Sequence, residues 1–206
     1  MTPVDKSPIV FVVDDDPAIR AGLDSLLRSV GMRVYTYASG AEFLQHAFED
    51  APACLILDVR LQGESGLDFQ VRLAEMKVSM PIVFVSGHGD IAMSVKAMKA
   101  GALDFLVKPF REQDLLDAVT LALQKDSKRR ETGKVSAELR ARFQTLTARE
   151  QEVMSYAVTG LMNKQIASEM GLSEITVKIH RGHAMKKMQA RTFADLVKMS
   201  EALAGE

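Results

Sequence analysis

Between Ile9 and Leu123, short β-branched runs alternate five times with longer stretches of helical periodicity, and few folds satisfy such a pattern. Strands are expected at Ile9–Val13 and at residues 34–37, 54–57, 82–85 and 105–107, with helices filling the intervals. Local signals support the helices. Asp16-Pro17 has the form of an N-cap followed by proline at the first helical position, and Ser39-Gly-Ala-Glu42 has capping-box spacing. After Pro109 a fifth helix carries Leu115, Leu116, Val119 and Leu123 on one side. Five βα units with short loops imply an α/β, doubly wound, five-stranded parallel sheet covered on both faces. Such sheets bind ligands at the carboxyl ends of their strands.

Beyond Leu123 the pattern changes. Residues 125–144 are polar and charged, with Lys128-Arg-Arg130 and a lone Gly133, and read as a linker continuing the fifth helix. Thr147-Ala-Arg-Glu150 and Thr192-Phe-Ala-Asp195 then give capping boxes, Gly160 a helix stop and Gly171 a tight turn. Four short helices follow, with no strand signal. The expected organisation is an α/β domain at 1–124, a charged helical linker at 125–144 and a small all-α domain at 145–206.

Composition narrows the setting. No apolar run approaches the roughly 20 residues needed to span a bilayer. Met1 to Ser7 are mixed in character and Ile9–Val13 is too short for the apolar part of a leader, so a cytoplasmic protein is expected, away from membranes. Cys54 is the sole cysteine, which excludes an internal disulfide, and its apolar strand reads as a buried thiol. The net charge of −1 divides into −4 over residues 1–133 and +3 over 134–206, with five basic residues against one acidic in 173–191. The C-terminal part therefore has the charge for a polyanionic partner.

Three features meet at the carboxyl ends of the expected strands: Asp14-Asp15 after the first, Asp58 after the third and Lys108 after the fifth. Clustered carboxylates repel unless a cation compensates, and an all-oxygen set suits Mg²⁺. Lys108 offers a compact positive charge to a phosphoryl oxygen, Ser86 a hydroxyl, and Gly87 leaves the site open. These are the parts needed for phosphoryl transfer to a carboxylate.

Val12-Val-Asp-Asp-Asp16, Leu57-Asp-Val-Arg60, Val85-Ser-Gly-His-Gly-Asp90, Ala97-Met-Lys-Ala-Gly-Ala102 and Lys108-Pro-Phe110 resemble, in order and spacing, the receiver domain of two-component response regulators in its FixJ-like branch. The resemblance implies a flavodoxin-like (CheY-like) fold with Asp58 as phosphoacceptor. It also implies Mg²⁺ held by Asp14, Asp15, Asp58 and the backbone carbonyl of Arg60, a sensing pair of Ser86 and Lys108, and Phe105 as the aromatic that changes rotamer with Ser86. Asp16 is read as a helix cap. Where the family has Met-Pro, this chain has Leu61-Gln62, and with Gly63 and Gly66 nearby the loop is expected to be freer.

In the C-terminal part, Gln165 to Ser173 reads as a helix, a glycine turn and a serine-capped second helix. Ile166, Ala167, Met170, Leu172, Val177 and Met185 supply an apolar side, and Lys178, Arg181 and Lys186 basic groups. Asn163 and Lys164 open the first of these helices, where backbone amides can meet phosphate. Leu146 to Val153, Gly160, Asn163-Lys-Gln-Ile-Ala167 and Ser173 to His180 resemble the LuxR-type helix-turn-helix domain. That resemblance implies a recognition helix from about Glu174 to Met188, with Lys178 and Ile179 facing bases, Arg181 near bases or phosphates and Thr176 near the DNA backbone. Gly182 departs from relatives that carry a longer side chain there.

Together the two parts are similar to a NarL/FixJ-type regulator. The implied cycle has a sensor histidine kinase phosphorylating Asp58, remodelling of the fourth helix and fifth strand, homodimerisation through a surface including Val95 and Lys99, and binding to promoter DNA, with RNA polymerase as a further partner. Two other readings fit parts of the chain: a hydrolase using an aspartyl-phosphate intermediate, and a DNA-binding protein whose receiver acts as a phosphorylation-independent dimerisation or docking module.

Overall fold

The computed structural model describes residues 7–87 and 91–204. His88-Gly-Asp90 of the motif after the fourth expected strand and most of the segment at Met1 to Ser7 lie outside the described residues. In chain order the elements are β1 (Ile9–Val13), α1 (Pro17–Ser29), β2 (Arg33–Tyr37), α2 (Gly40–Phe43), β3 (Ala53–Asp58), β4 (Arg60–Leu61), β5 (Glu64–Ser65), α3 (Gly66–Glu75), β6 (Ile82–Ser86), α4 (Ile91–Lys99), β7 (Asp104–Val107), α5 (Glu112–Gln144), α6 (Ala148–Val158), α7 (Asn163–Met170), α8 (Glu174–Met188) and α9 (Phe193–Ala204).

Among the described residues, β2, β1, β3, β6 and β7 form one parallel sheet in that order, with Val13 level with Leu57 and Asp58 level with Val85. Successive side chains of a strand point to opposite faces, so a strand covered on both sides must be apolar throughout. β1 shows this: Ile9, Phe11 and Val13 pack with Phe43, Phe69 and Phe84, while Val10 and Val12 pack with Leu27, Leu115 and Val119. The chain order doubles back beside β1, which leaves a crevice at the carboxyl ends of β1 and β3.

The loop expected to be loose is folded. Residues 60–65 form a two-rung antiparallel hairpin, Arg60 opposite Ser65 and Leu61 opposite Glu64, with Gly63 at φ +91° and Leu61 buried in the core. Gly66 also has another role than freedom, described below.

The described chain divides into two compact units between Arg130 and Glu131, within α5. Residues 125–130, read above as linker, belong to the first unit through a fully buried carboxylate. Asp126 accepts the Ala53 amide at 2.9 Å, both Nε and Nη2 of Arg129 at 3.0 and 2.7 Å, and Nε of Arg130 at 2.6 Å. In the second unit, α6 to α9 enclose two small cores, one around Met154, Ala184, Met188 and Leu196, the other around Val153, Ile166 and Val177. Among the described residues no helix is long and apolar enough to cross a membrane.

Candidate functional site

Each residue of the acidic pocket is delivered by a strand end. Asp14 follows β1, Asp58 ends β3, Ser86 ends β6 and Lys108 follows β7. The Lys108 ammonium donates to Asp14 Oδ2 at 2.7 Å and to Asp58 Oδ1 at 2.9 Å, joining residues far apart in sequence, and both carboxylates are buried. Burial alone would lower the Lys108 pKa, but the two carboxylates outweigh it and hold the amine charged, above its ordinary value. The Arg60 amide donates to Asp58 Oδ2, the Asp16 amide to Asp14 Oδ1 at 2.9 Å, and the Lys108 amide to the Ser86 carbonyl at 2.8 Å. Asp15 is half-buried beside them. Asp16 caps α1, accepting from the Ala18 and Ile19 amides.

The floor of the pocket depends on a missing side chain. A Cβ on Gly66 would lie 2.2 Å from the Asp58 carbonyl oxygen, and the Gly66 amide donates to the Val59 carbonyl at 2.8 Å. Arg20 was not anticipated; its Nη1 donates to the Asp14 carbonyl at 2.7 Å and braces the acidic turn from α1. Its position one helical turn beyond the Asp16 cap was the available signal.

Three acidic groups against one ammonium leave surplus negative charge and an oxygen-only donor set, which is what a magnesium ion suits. Among the described residues no three acidic, histidine or cysteine side chains converge closely enough to hold a metal by themselves, so a backbone carbonyl and water would complete its shell.

Away from the pocket, Phe105 is half-buried with its ring 6.2 Å from that of Phe84. Val95 and Lys99 are exposed on α4, and Ile91, Met98 and the β7 residue Val107 extend the apolar part of that surface.

In the second unit, Gly171 at φ +64° ends α7, and Ser173 caps α8 by accepting the Thr176 amide. Lys178, Ile179 and Lys186 are exposed on α8. Thr176 is half-buried and shares a hydroxyl hydrogen bond with Ser173. Arg181 faces inward more than expected: its guanidinium lies over the Phe193 ring and donates to Asn163 Oδ1 at 3.1 Å, tying α8 to α7 and α9. Lys164 is exposed beside Asn163. Ile175, which the sequence reading did not single out, is 73% exposed one turn before Ile179, so α8 presents two apolar side chains on its exposed face. A methyl group on Gly182 would meet no atom within 4 Å.

Glu150 anchors this unit. It is buried, closes a capping box with Thr147, and accepts Lys187 Nζ at 2.6 Å. Burial pushes its pKa up, but Lys187 and the Thr147 amide outweigh that and leave it at about 2, below the ordinary 4.5. A depressed carboxylate stabilises the fold above its unfolded pKa and loses that contribution as pH falls through the folded value. The thermal stability of the second unit is therefore expected to be flat above the ordinary carboxylate range and to fall on acidification from about pH 4.5 towards 2. Calorimetry across that range, with Glu150→Gln removing the slope that Glu150 contributes, checks this.

Comparison with known proteins follows the same division. Residues 10–120 match the family model of the response regulator receiver domain, and residues 144–200 that of the bacterial regulatory proteins, luxR family. Over 202 residues the chain is 56% identical to Nodulation protein W of Bradyrhizobium diazoefficiens, spanning 98% of this chain and 89% of that one. It is 47% identical to Response regulator protein TmoT of Ectopseudomonas mendocina, spanning 97% and 90%. Among solved structures, the response regulator StyR superposes with a TM-score of 0.86 at 48% identity, over 95% of this chain and 98% of that one.

Proposed function

Because the chain belongs to the response regulators that join a receiver domain to a LuxR-family DNA-binding domain, we propose that Asp58 is its phosphoacceptor and that the phosphoryl group, donated by a sensor histidine kinase, controls promoter binding by α8. The observation that carries this reading is the Lys108 ammonium bridging the buried carboxylates of Asp14 and Asp58 at the carboxyl ends of the strands.

In the transfer, an Asp58 oxygen forms the bond to phosphorus as the donor's bond to phosphorus breaks. Positioning and charge neutralisation do nearly all the catalysis. Lys108, already between the two carboxylates, pairs with an incoming phosphoryl oxygen, and the Ser86 hydroxyl donates to another. Asp14, Asp15, Asp58 and the Arg60 carbonyl would hold Mg²⁺, which when bound offsets phosphoryl charge. Ser86 shifts towards the phosphoryl group, Phe105 turns into the space it leaves, and the α4 surface changes. Homodimerisation then uses Val95 and Lys99, with Ile91 and Met98 adding apolar area.

Two recognition helices on one dimer read adjacent half-sites. Lys178, Ile179 and Ile175 face bases, the isoleucines suiting thymine methyl groups. Asn163, Lys164, Thr176 and Lys186 contact the phosphate backbone, and Arg181 orients α7 on α8 while its remaining donors reach phosphate. The protein works in the cytoplasm as a transcriptional regulator, with RNA polymerase as a further partner.

Incubation with acetyl phosphate and Mg²⁺ is expected to add one phosphoryl group to the wild type and none to Asp58→Ala by mass spectrometry, with dimer fraction and DNA affinity rising only in the wild type. Equal DNA affinity of phosphorylated wild type and Asp58→Ala refutes the switch.

A further inference from the structure

Gln70 lies in the middle of α3 and is only 4% exposed, so its amide has to be partnered within the protein. Its Nε2 donates to the Ala100 carbonyl at 3.1 Å and reaches the Ala97 carbonyl at 3.5 Å. Both belong to the end of α4, where every helix leaves carbonyls without intrahelical partners. Gly101, at φ +93°, turns the chain so that the Ala102 amide donates to Ala97 at 3.1 Å and the Gly101 amide to Met98 at 3.0 Å. This pair of crossed bonds serves two of the last carbonyls. Gln70 serves the Ala100 carbonyl, and does so from another helix.

The orientation of the amide follows from these contacts, since the reverse would set Oε1 against two carbonyl oxygens. Oε1 is buried without a hydrogen-bond partner, beside a cleft of about 230 Å³ that Gln70 lines with Leu73, Ala100 and Gly101. Immediately downstream, the Leu103 amide joins β6 at the Ile82 carbonyl, 2.8 Å away, and the chain enters β7 with Phe105. Gln70 therefore grips the joint between the helix that presents the exposed Ile91, Val95 and Met98 and the strand that carries the aromatic.

We infer that Gln70 is a positioning residue of the switch: it holds the C-terminal end of α4 on α3, so that α4 responds by pivoting about residues 97–102 and not by sliding as a whole. This rests on the reading of Asp58 as phosphoacceptor and of α4 as the responding surface. A fixed pivot concentrates the displacement at the helix start, nearest Ser86. Removing the donor frees both ends, and phosphorylation then biases the helix less.

Hydrogen exchange on the full-length chain, before and after acetyl phosphate with Mg²⁺, tests this with Gln70→Met, similar in size but without the donor, and Gln70→Glu, which turns an acceptor towards the carbonyls. In the wild type, phosphorylation is expected to change exchange at 91–94 and to leave 100–102 protected. In Gln70→Met, amides 100–102 exchange about tenfold faster before phosphorylation, as expected for losing one buried hydrogen bond. Asp58 still takes up phosphate, and the phosphorylation-induced gain in dimer fraction falls at least about threefold. Gln70→Glu moves both readouts further in the same direction. Thermal unfolding confirms that both variants are folded, and a purely structural role would lower stability while leaving the phosphorylation-induced gain intact. Wild-type protection at 100–102 in both variants, or a phosphorylation effect in the wild type as large at 100–102 as at 91–94, overturns the inference. If wild-type Asp58 takes no phosphate, the functional reading fails, and the comparison of unphosphorylated variants still decides whether Gln70 holds the helix end.

Discussion

Gly66→Ala is expected to lower stability by about 3 kcal/mol, the upper range for forcing a methyl group into filled space, and to slow phosphorylation by acetyl phosphate at least about tenfold, since small misplacements of reacting groups cost that much or more. The reason is what the new methyl would strike. It would lie 2.2 Å from the Asp58 carbonyl oxygen, which is backbone of the central strand and cannot swing aside. Relief has to come from moving α3 or the end of β3, and the second displaces Asp58, the proposed phosphoacceptor. Gly63→Ala is the control. Gly63 has open space but sits at φ +91°, so its cost is conformational, about 1 kcal/mol, and falls on the hairpin turn away from Asp58. Chemical denaturation and phosphorylation time courses of the two variants separate these effects.

Asp126→Ala is expected to cost at least about 3 kcal/mol, the usual consequence of breaking a buried ion pair by removing one partner. The carboxylate has no solvent exposure and accepts four donors, one of them the backbone amide that opens β3. Its loss leaves the Ala53 amide buried without a partner and releases Arg129; Arg130 keeps its contact with Asp50 at 3.0 Å. Because both arginines retain some solvent, Asp126→Asn, which still accepts from Ala53, recovers part of the loss. Denaturant unfolding of the three proteins gives the comparison, with the transition of the first unit moving and that of the second unchanged.

These two residues also mark where sequence reasoning reached and where it stopped. The three inner strands were legible because burial on both faces demands unbroken apolar runs, the edge strands β2 and β7 by their β-branched and aromatic residues, and all five were placed to within a residue at either end. The acidic pocket was legible for a related reason: strand ends are fixed by the runs, so Asp14, Asp58, Ser86 and Lys108 could be assigned to one rim before any distance was known. Asp126 was not legible as a core group. It sits in a polar run, and charge composition cannot distinguish a solvated carboxylate from one that a distant amide and two arginines enclose; its spacing to Arg129 and Arg130 was the faint signal. The hairpin at 60–65 escaped because two rungs are too short for any alternation to register. Arg181 was placed near bases or phosphates by the resemblance to the LuxR-type domain, and its stacking on Phe193 was not legible because it depends on where α9 returns, a tertiary fact with no local trace.

Gly182 bears on how such a protein can diverge. On the exposed side of α8 it occupies a position where a side chain would encounter nothing of the protein's own. Replacing glycine within a helix also favours the helix, by up to about 1 kcal/mol for alanine. A single codon change there can add a side chain to the exposed face of α8, the proposed recognition helix, without drawing on the stability of the domain. Under the proposed reading of α8, a duplicated copy of the gene would acquire a different operator in one mutational step while its receiver is unchanged.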